Sequence, residues 1–277
     1  MSAGLIATAV VAHTPRIGIE ENAPPFQHGL IRGLRELGCD LRAMKPDLFV
    51  LQSAHWVSTF NWYVTAHAVH EGVCIADEAP DLIPGVPYRR AGDPEFARAL
   101  AAAMRDGGIP GNATDSEYLA WDYASYVPLK YLDPEAEVPA VMLPTVICSD
   151  LTENRRVARM VHQTARALGK RVVYLSSCAL SHAVERGPER WPTPERIDMD
   201  RRFIELATAG QVRELLDWSP VYCRAAVAEM GGRTISGMLG AAEVLALEHG
   251  AVTGRQYGDY AQSSGSGNAN ICLTPAA

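Results

Sequence analysis

The chain has no C-x-x-C pair, no long apolar run, no excess of basic residues and no G-x-S-x-G elbow. Each absence removes a class of function. Its six cysteines (Cys39, Cys74, Cys148, Cys178, Cys223 and Cys272) are scattered. A disulfide framework belongs to small secreted chains, so reduced thiols in a cytoplasmic protein are expected, several of them buried in strands. No apolar stretch approaches the ~18 residues that a membrane helix requires. Met1-Ser2-Ala3-Gly4 leads into the short apolar run Leu5 to Ala12 with no basic segment before it, which predicts no secretory leader. With 25 Lys and Arg against 32 Asp and Glu, the net charge of −7 argues against nucleic-acid binding, which requires a basic patch. The missing elbow makes a serine hydrolase a poor reading of Ser176, Ser177 and Ser181.

What is present is a chain of 277 residues, 48% apolar, able to bury a large core. No repeat, low-complexity tract or linker interrupts it, so one domain over 1–277 is expected. Gly4 to Ala12, Asp47 to Ser53 and Arg171 to Ser177 are short apolar runs of the kind a strand buried on both faces produces. Trp62 to His70 and Val138 to Cys148 read as further strands, the latter either an edge strand or the end of one because of Pro144. The helical spacing of Leu30, Ile31, Leu34 and Leu37 predicts a helix ending at Gly38. Other helices are predicted from Asp93 through Met104, within 122–131, and over 152–169, 198–210, 212–218 and 234–249. Residues 72–92, rich in Pro and Gly, predict a long irregular excursion. Ser263 to Asn268 has a flexible composition, and Ala269 to Leu273 a final strand. Strands alternating with helices make the class α/β.

In open α/β sheets, ligands gather beyond the carboxyl ends of strands. His13, His55 and His182 each fall at such an end. A strand-end histidine can be a cap or a core residue with no role. Together with Glu229, which precedes Gly231-Gly232, these residues offer two imidazoles and a carboxylate for a facial triad suited to non-haem Fe(II), and one more imidazole for proton transfer. Glu229 could equally be a surface or helix-start carboxylate. Glu243 is the competing carboxylate, although it sits in a helical run. His67 and His70, three residues apart, read as solvent-facing.

These stretches resemble the class III extradiol ring-cleavage dioxygenases, the superfamily of protocatechuate 4,5-dioxygenase β subunits. They are similar in particular to its homoprotocatechuate 2,3-dioxygenase and 2-aminophenol 1,6-dioxygenase branches. The likeness runs nearly end to end. It is carried by His13-Thr14-Pro15, Ser53-Ala54-His55-Trp56, His70-Glu71-Gly72, Asp122 to Pro128, Leu180-Ser181-His182, Gly237-Met238-Leu239-Gly240 and Ser263 to Gly267.

The resemblance implies a single α/β domain with a central mixed sheet flanked by helices. It implies His13, His55 and Glu229 as ligands of Fe(II), His182 as acid/base, and Tyr123 near the substrate. The substrate would be a small catechol or o-aminophenol, with O2 as co-substrate and cleavage beside the diol. A carboxylated substrate would call for a cation, and Arg16, Arg89, Arg90, Arg186 and Arg233 are all candidates. Relatives suggest a homo-oligomer or pairing with a related subunit. Two rival readings are a non-catalytic subunit of the same fold and a zinc hydrolase that uses the same ligands.

Overall fold

The computed structural model describes residues 3–187 and 189–276. Met1 and Ser2, part of the segment on which the leader expectation rests, lie outside them. Among the described residues the chain forms, in order, β1 (Gly4–Val11), α1 (His28–Ala43), β2 (Leu48–Ser58), β3 (Trp62–Thr65), β4 (Val69–Cys74), β5 (Val86–Ala91), α2 (Pro94–Asp106) and β6 (Gly111–Thr114). There follow α3 (Tyr123–Leu132), β7 (Ala140–Val146), α4 (Leu151–Ala167), β8 (Arg171–Ser177), α5 (Pro194–Thr208), α6 (Val212–Ala225), α7 (Arg233–His249), β9 (Val252–Ser263) and β10 (Ser266–Pro275).

Six strands make the central sheet in the order β7-β2-β8-β1-β10-β9. The first four are parallel, and β10 runs antiparallel to both of its neighbours, so the sheet is mixed. Apolar side chains project from both faces, which is why these runs read as continuous rather than alternating. Ala7, Ala9, Phe49, Leu51, Val173 and Leu175 share one core with α1 and α3. Leu5, Val10, Val50, Val172 and Tyr174 share the other with the remaining helices. Leu30, Leu34, Leu37 and Leu41 of α1 are fully buried, each worth ~1.5–3 kcal/mol of apolar transfer. Side-chain caps start several helices: Asp93 accepts from the Phe96 amide, Asp122 from that of Ser125 and Asp150 from that of Glu153.

The structure departs from the sequence expectations at several places; β2 runs past Ser53 to Ser58, and α6 runs past Trp218 to Ala225. α1 does not stop at Gly38. That glycine is a contact site, since a Cβ there would lie 2.2 Å from the Leu132 carbonyl oxygen on α3. The predicted strand over 62–70 is two strands, β3 and β4, which pair with β6 and β5 respectively. Much of the predicted excursion at 72–92 is therefore a hairpin, and only 75–85 is irregular. β9 is polar and glycine-containing because it forms the sheet's outer edge, so it carries no buried-strand signal. Ser263 to Asn268 is likewise ordered: Ser264 and Gly265, both at positive φ, make the tight turn between β9 and β10. Val138 to Cys148 contains β7, an edge strand, which is one of the two readings that Pro144 allows.

Candidate metal centre

The parallel strands β1, β2 and β8 present their carboxyl ends on one side of the sheet. His13 follows β1 by two residues. Its Nδ1 lies 3.1 Å from the Ser177 Oγ at the end of β8. That hydroxyl donates its own proton to the Ala124 carbonyl at 2.5 Å, so it accepts from the ring. The His13 proton is thereby held on Nδ1, and the Nε2 lone pair faces the site. His55 lies within β2, in the stretch where the register against β7 shifts between Gln52 and Val57. The Ser53 hydroxyl shapes this turn: it accepts from the His55 and Trp56 amides and donates to Asp122.

Glu229 occupies the tight turn ahead of α7. Met230, Gly231 and Gly232 all have positive φ, and a Cβ on Gly232 would strike Cys223 Sγ at 2.0 Å. The glycine pair therefore lets the chain double back and aim the preceding carboxylate inward. One oxygen of Glu229 accepts from the Ala179 amide at 2.5 Å. Its other oxygen, Oε1, faces His182 Nε2 at 3.3 Å, His55 Nε2 at 3.4 Å and His13 Nε2 at 3.5 Å. His182 is delivered by a strand-like segment threaded between two others. Leu180 donates to Gly267, His182 to Val227, and the Glu229 amide to Leu180. Ser181 is fixed by its amide and hydroxyl to Asp200, a fully buried carboxylate that also accepts from Tyr222 and Tyr260.

The Glu229 side chain is 2% exposed and, among the described residues, has no lysine or arginine partner. Burial alone would raise its pKa, but the three imidazoles outweigh that and hold it well below the usual carboxylate range. Burial lowers His182, with His13 and His55 adding to the effect and Glu229 opposing it, so this ring is neutral near pH 7. His55 moves the other way: burial lowers it, yet Glu229, Asp122 and Glu78 together raise it. A buried anion where three imidazole Nε2 atoms meet calls for a cation, either a proton on a ring or a metal ion. One donor atom each from His13, His55 and Glu229 lies within 4.8 Å of the others. Two imidazoles and one carboxylate suit a divalent first-row metal, so the residues fit the expected group.

Tyr123, the first residue of α3, places its hydroxyl 2.7 Å from His55 Nε2 and donates to Glu78 at 2.7 Å. Burial, then Glu78, raise its pKa far above the ordinary phenol value. A cavity of about 380 Å³ opens beside these groups, with apolar walls from Pro15, Ala79, Leu82 and Val184. Of the five candidate arginines, Arg16 and Arg186 line it. The others do not. Arg90 is buried on Asp133, Arg89 pairs with Glu71 at the surface, and Arg233 donates to the Ile147, Ser149 and Met230 carbonyls.

Glu243, the competing carboxylate, lies on α7 as its helical run predicts and pairs with Arg159 at 2.7 Å. One further expectation is corrected. His70 is not solvent-facing. It is 4% exposed, meets the Ala140 carbonyl oxygen through Nε2, and burial lowers its pKa to about 4. Sequence reasoning also missed Glu78, which touches His55 and Tyr123 from the 75–85 connection and bears no motif.

Residues 7–262 match the family described as the catalytic LigB subunit of aromatic ring-opening dioxygenase. The chain is 24% identical over 230 residues to a 3,4-dihydroxyphenylacetate 2,3-dioxygenase of Escherichia coli, covering 79% of this chain and 83% of the relative. It is 23% identical over 216 residues to a 2-aminophenol 1,6-dioxygenase alpha subunit of a Pseudomonas species, covering 75% and 79%. The fold matches the crystal structure of an uncharacterized Escherichia coli K12 protein with a TM-score of 0.67, at 19% identity, over 96% of this chain and 99% of that one. No helix among the described residues is long and apolar enough to cross a membrane. All six cysteines are free.

Proposed function

The chain belongs to the LigB family of aromatic ring-opening dioxygenases, and from that premise we propose that it is an Fe(II)-dependent extradiol dioxygenase acting on a small catechol or o-aminophenol. One observation carries this reading: three imidazoles that line an open cavity turn their Nε2 atoms on one buried carboxylate. His13, His55 and Glu229 would hold the iron, which when bound would bring substrate and O2 together and relay electrons from the aromatic ring to the oxygen.

The chain's own side chains supply the rest. Pro15, Ala79, Leu82 and Val184 enclose the ring and limit water. The Tyr123 hydroxyl stands beside the ligand edge of the cavity, where it can hydrogen-bond a substrate oxygen or nitrogen. His182, neutral and at the cavity wall, takes the proton that a substrate hydroxyl loses. It returns a proton where charge develops on oxygen. Residues 1–277 act in this reading as one catalytic domain in the cytoplasm, within aromatic catabolism. They work as a homo-oligomer or beside a related subunit.

The test is an oxygen-electrode assay of the iron-loaded protein in air against a panel of catechols and 2-aminophenol. Oxygen uptake with a yellow ring-opened product is expected for at least one of them. No uptake with any would sink the reading.

A 3,4-dihydroxyphenylacetate-like substrate fits the cavity's charge. Arg16 is half-buried on its wall and forms no ion pair with any described residue. A hydrogen bond to a charged group is worth ~1.5–3 kcal/mol. Arg16→Ala is therefore expected to raise KM for the carboxylated catechol roughly 10–100-fold while leaving unsubstituted catechol nearly unchanged. Equal effects on both substrates would remove Arg16 from carboxylate recognition.

A further inference from the structure

The two histidines of the centre are held from behind by different groups. His13 leans on Ser177, a fully buried hydroxyl on a core strand. The ring of His55 is one-quarter exposed and has no such wall. Its Nδ1 instead meets Glu78 Oε1 at 3.3 Å. The same Glu78 oxygen accepts the Tyr123 hydroxyl proton at 2.7 Å, so one carboxylate atom ties together a ligand and a cavity-wall residue.

Glu78 is 54% exposed, yet its segment is not loose. The neighbours Ala76 and Ile83 are fully buried, and the turn is closed by hydrogen bonds from Ala79 to Ala76, from Leu82 to Ala79 and from Ala76 to Ile83. Ile83 also seats against Gly18, where a Cβ would lie 2.4 Å from its Cδ1. That contact ties the segment to the stretch that follows His13. The backbone thus presents Glu78 to the centre from a fixed base.

We propose that Glu78 is the positioning carboxylate of this metal centre: with the metal bound, its Oε1, 3.3 Å from His55 Nδ1, would accept Nδ1–H, turn the Nε2 lone pair from the Tyr123 hydroxyl to the metal and make that ring a stronger donor. The proposal rests on His13, His55 and Glu229 being a metal site. The chemistry is general. A ligating imidazole donates its other N–H to a carboxylate, carbonyl or water, and loss of that partner typically costs 10–100-fold in metal affinity. A carboxylate also supplies a second negative charge near the ion, which a serine hydroxyl does not. Glu78 carries the cavity-wall residues Ala79 and Leu82 beside it, so the same contact registers that wall against the centre.

The experiment is chelator competition for Fe(II), and separately for Zn(II), on the full chain and on Glu78→Gln. A 10–100-fold loss of affinity is expected in the variant. Its metal-free melting temperature should be unchanged, because Glu78 packs no core. Glu71→Gln, in the same hairpin but paired only with exposed Arg89, should bind as the wild type does. In zinc-loaded protein, the His55 Nδ1–H resonance seen by 1H–15N NMR should be lost or shifted upfield in Glu78→Gln and partly restored in Glu78→Asp. Wild-type uptake of metal with Glu78→Gln binding within twofold of it overturns the proposal. A wild type that takes up neither ion overturns the metal-centre reading beneath it.

Discussion

Glu229→Gln is expected to leave the protein folded and without metal. The substitution keeps the size of the side chain and the Ala179 contact but removes the single negative charge at the focus of three imidazoles. In the wild type that charge is buried, and among the described residues its only cationic partners are histidines, leaving an imidazolium or a metal ion to balance it. Without it, the three rings can all be neutral, so the amide imposes no uncompensated charge on the fold. The donor set, however, falls to two imidazoles. Metal retained through gel filtration should drop from stoichiometric to near zero. Turnover should fall on the order of 10³-fold or more, the loss of the several kcal/mol that a metal contributes at ~1.4 kcal/mol per decade. Glu243→Gln gives the internal contrast: its carboxylate pairs with Arg159 on a helix surface, and metal and turnover should be unaffected. A Glu229→Gln protein with full metal content would place the carboxylate ligand elsewhere.

His182→Ala should separate binding from chemistry. Among the described residues only His13, His55 and Glu229 group within 4.8 Å of one another. The His182 Nε2 nevertheless lies as near to Glu229 as those of His13 and His55, so that one distance does not distinguish a third imidazole ligand from an acid/base. Its attachment does. His13 is held by Ser177, whereas His182 rides on a segment pinned by Ser181 to the Asp200 network and contributes to the cavity wall. Its ring is held neutral by burial and by the neighbouring histidines, which suits it to accept a proton at physiological pH. Removal should cut turnover by roughly 10²–10⁴-fold with metal content intact, the range typical of a positioned general acid/base. If the variant loses its metal instead, His182 is a ligand.

The fold was legible where burial made the sequence redundant. Val172 to Leu175 and Leu5 to Val11 are apolar because both faces are covered, and each run predicted its strand. β9 was not legible, because an edge strand half in water carries no such signature. Gly38 illustrates a different limit. A glycine after an apolar helical stretch looks the same whether it caps a helix or admits a neighbouring backbone, and only the position of α3 decides. At the site, His13 and His182 could be found because strand ends concentrate ligands and imidazoles are scarce; His55, also read as lying beyond a strand end, sits inside β2, which runs on past Ser53 to Ser58. Glu229 was visible through the glycines that let its turn form. Glu78 was invisible: one carboxylate in an irregular acidic segment, brought to His55 by the burial of Ala76 and Ile83. Choosing between the arginines likewise required the tertiary structure, since Arg90 and Arg16 differ only in what surrounds them.

The central claim is that this centre performs oxygen chemistry on an aromatic ring rather than metal-assisted hydrolysis. It is tested most directly by loading the metal-free protein with Fe(II) or with Zn(II) and measuring oxygen consumed per ring opened at limiting catechol. The account predicts equimolar oxygen consumption and ring opening with iron, and neither with zinc. Ring opening that proceeds without oxygen, or equally well with zinc, would contradict it.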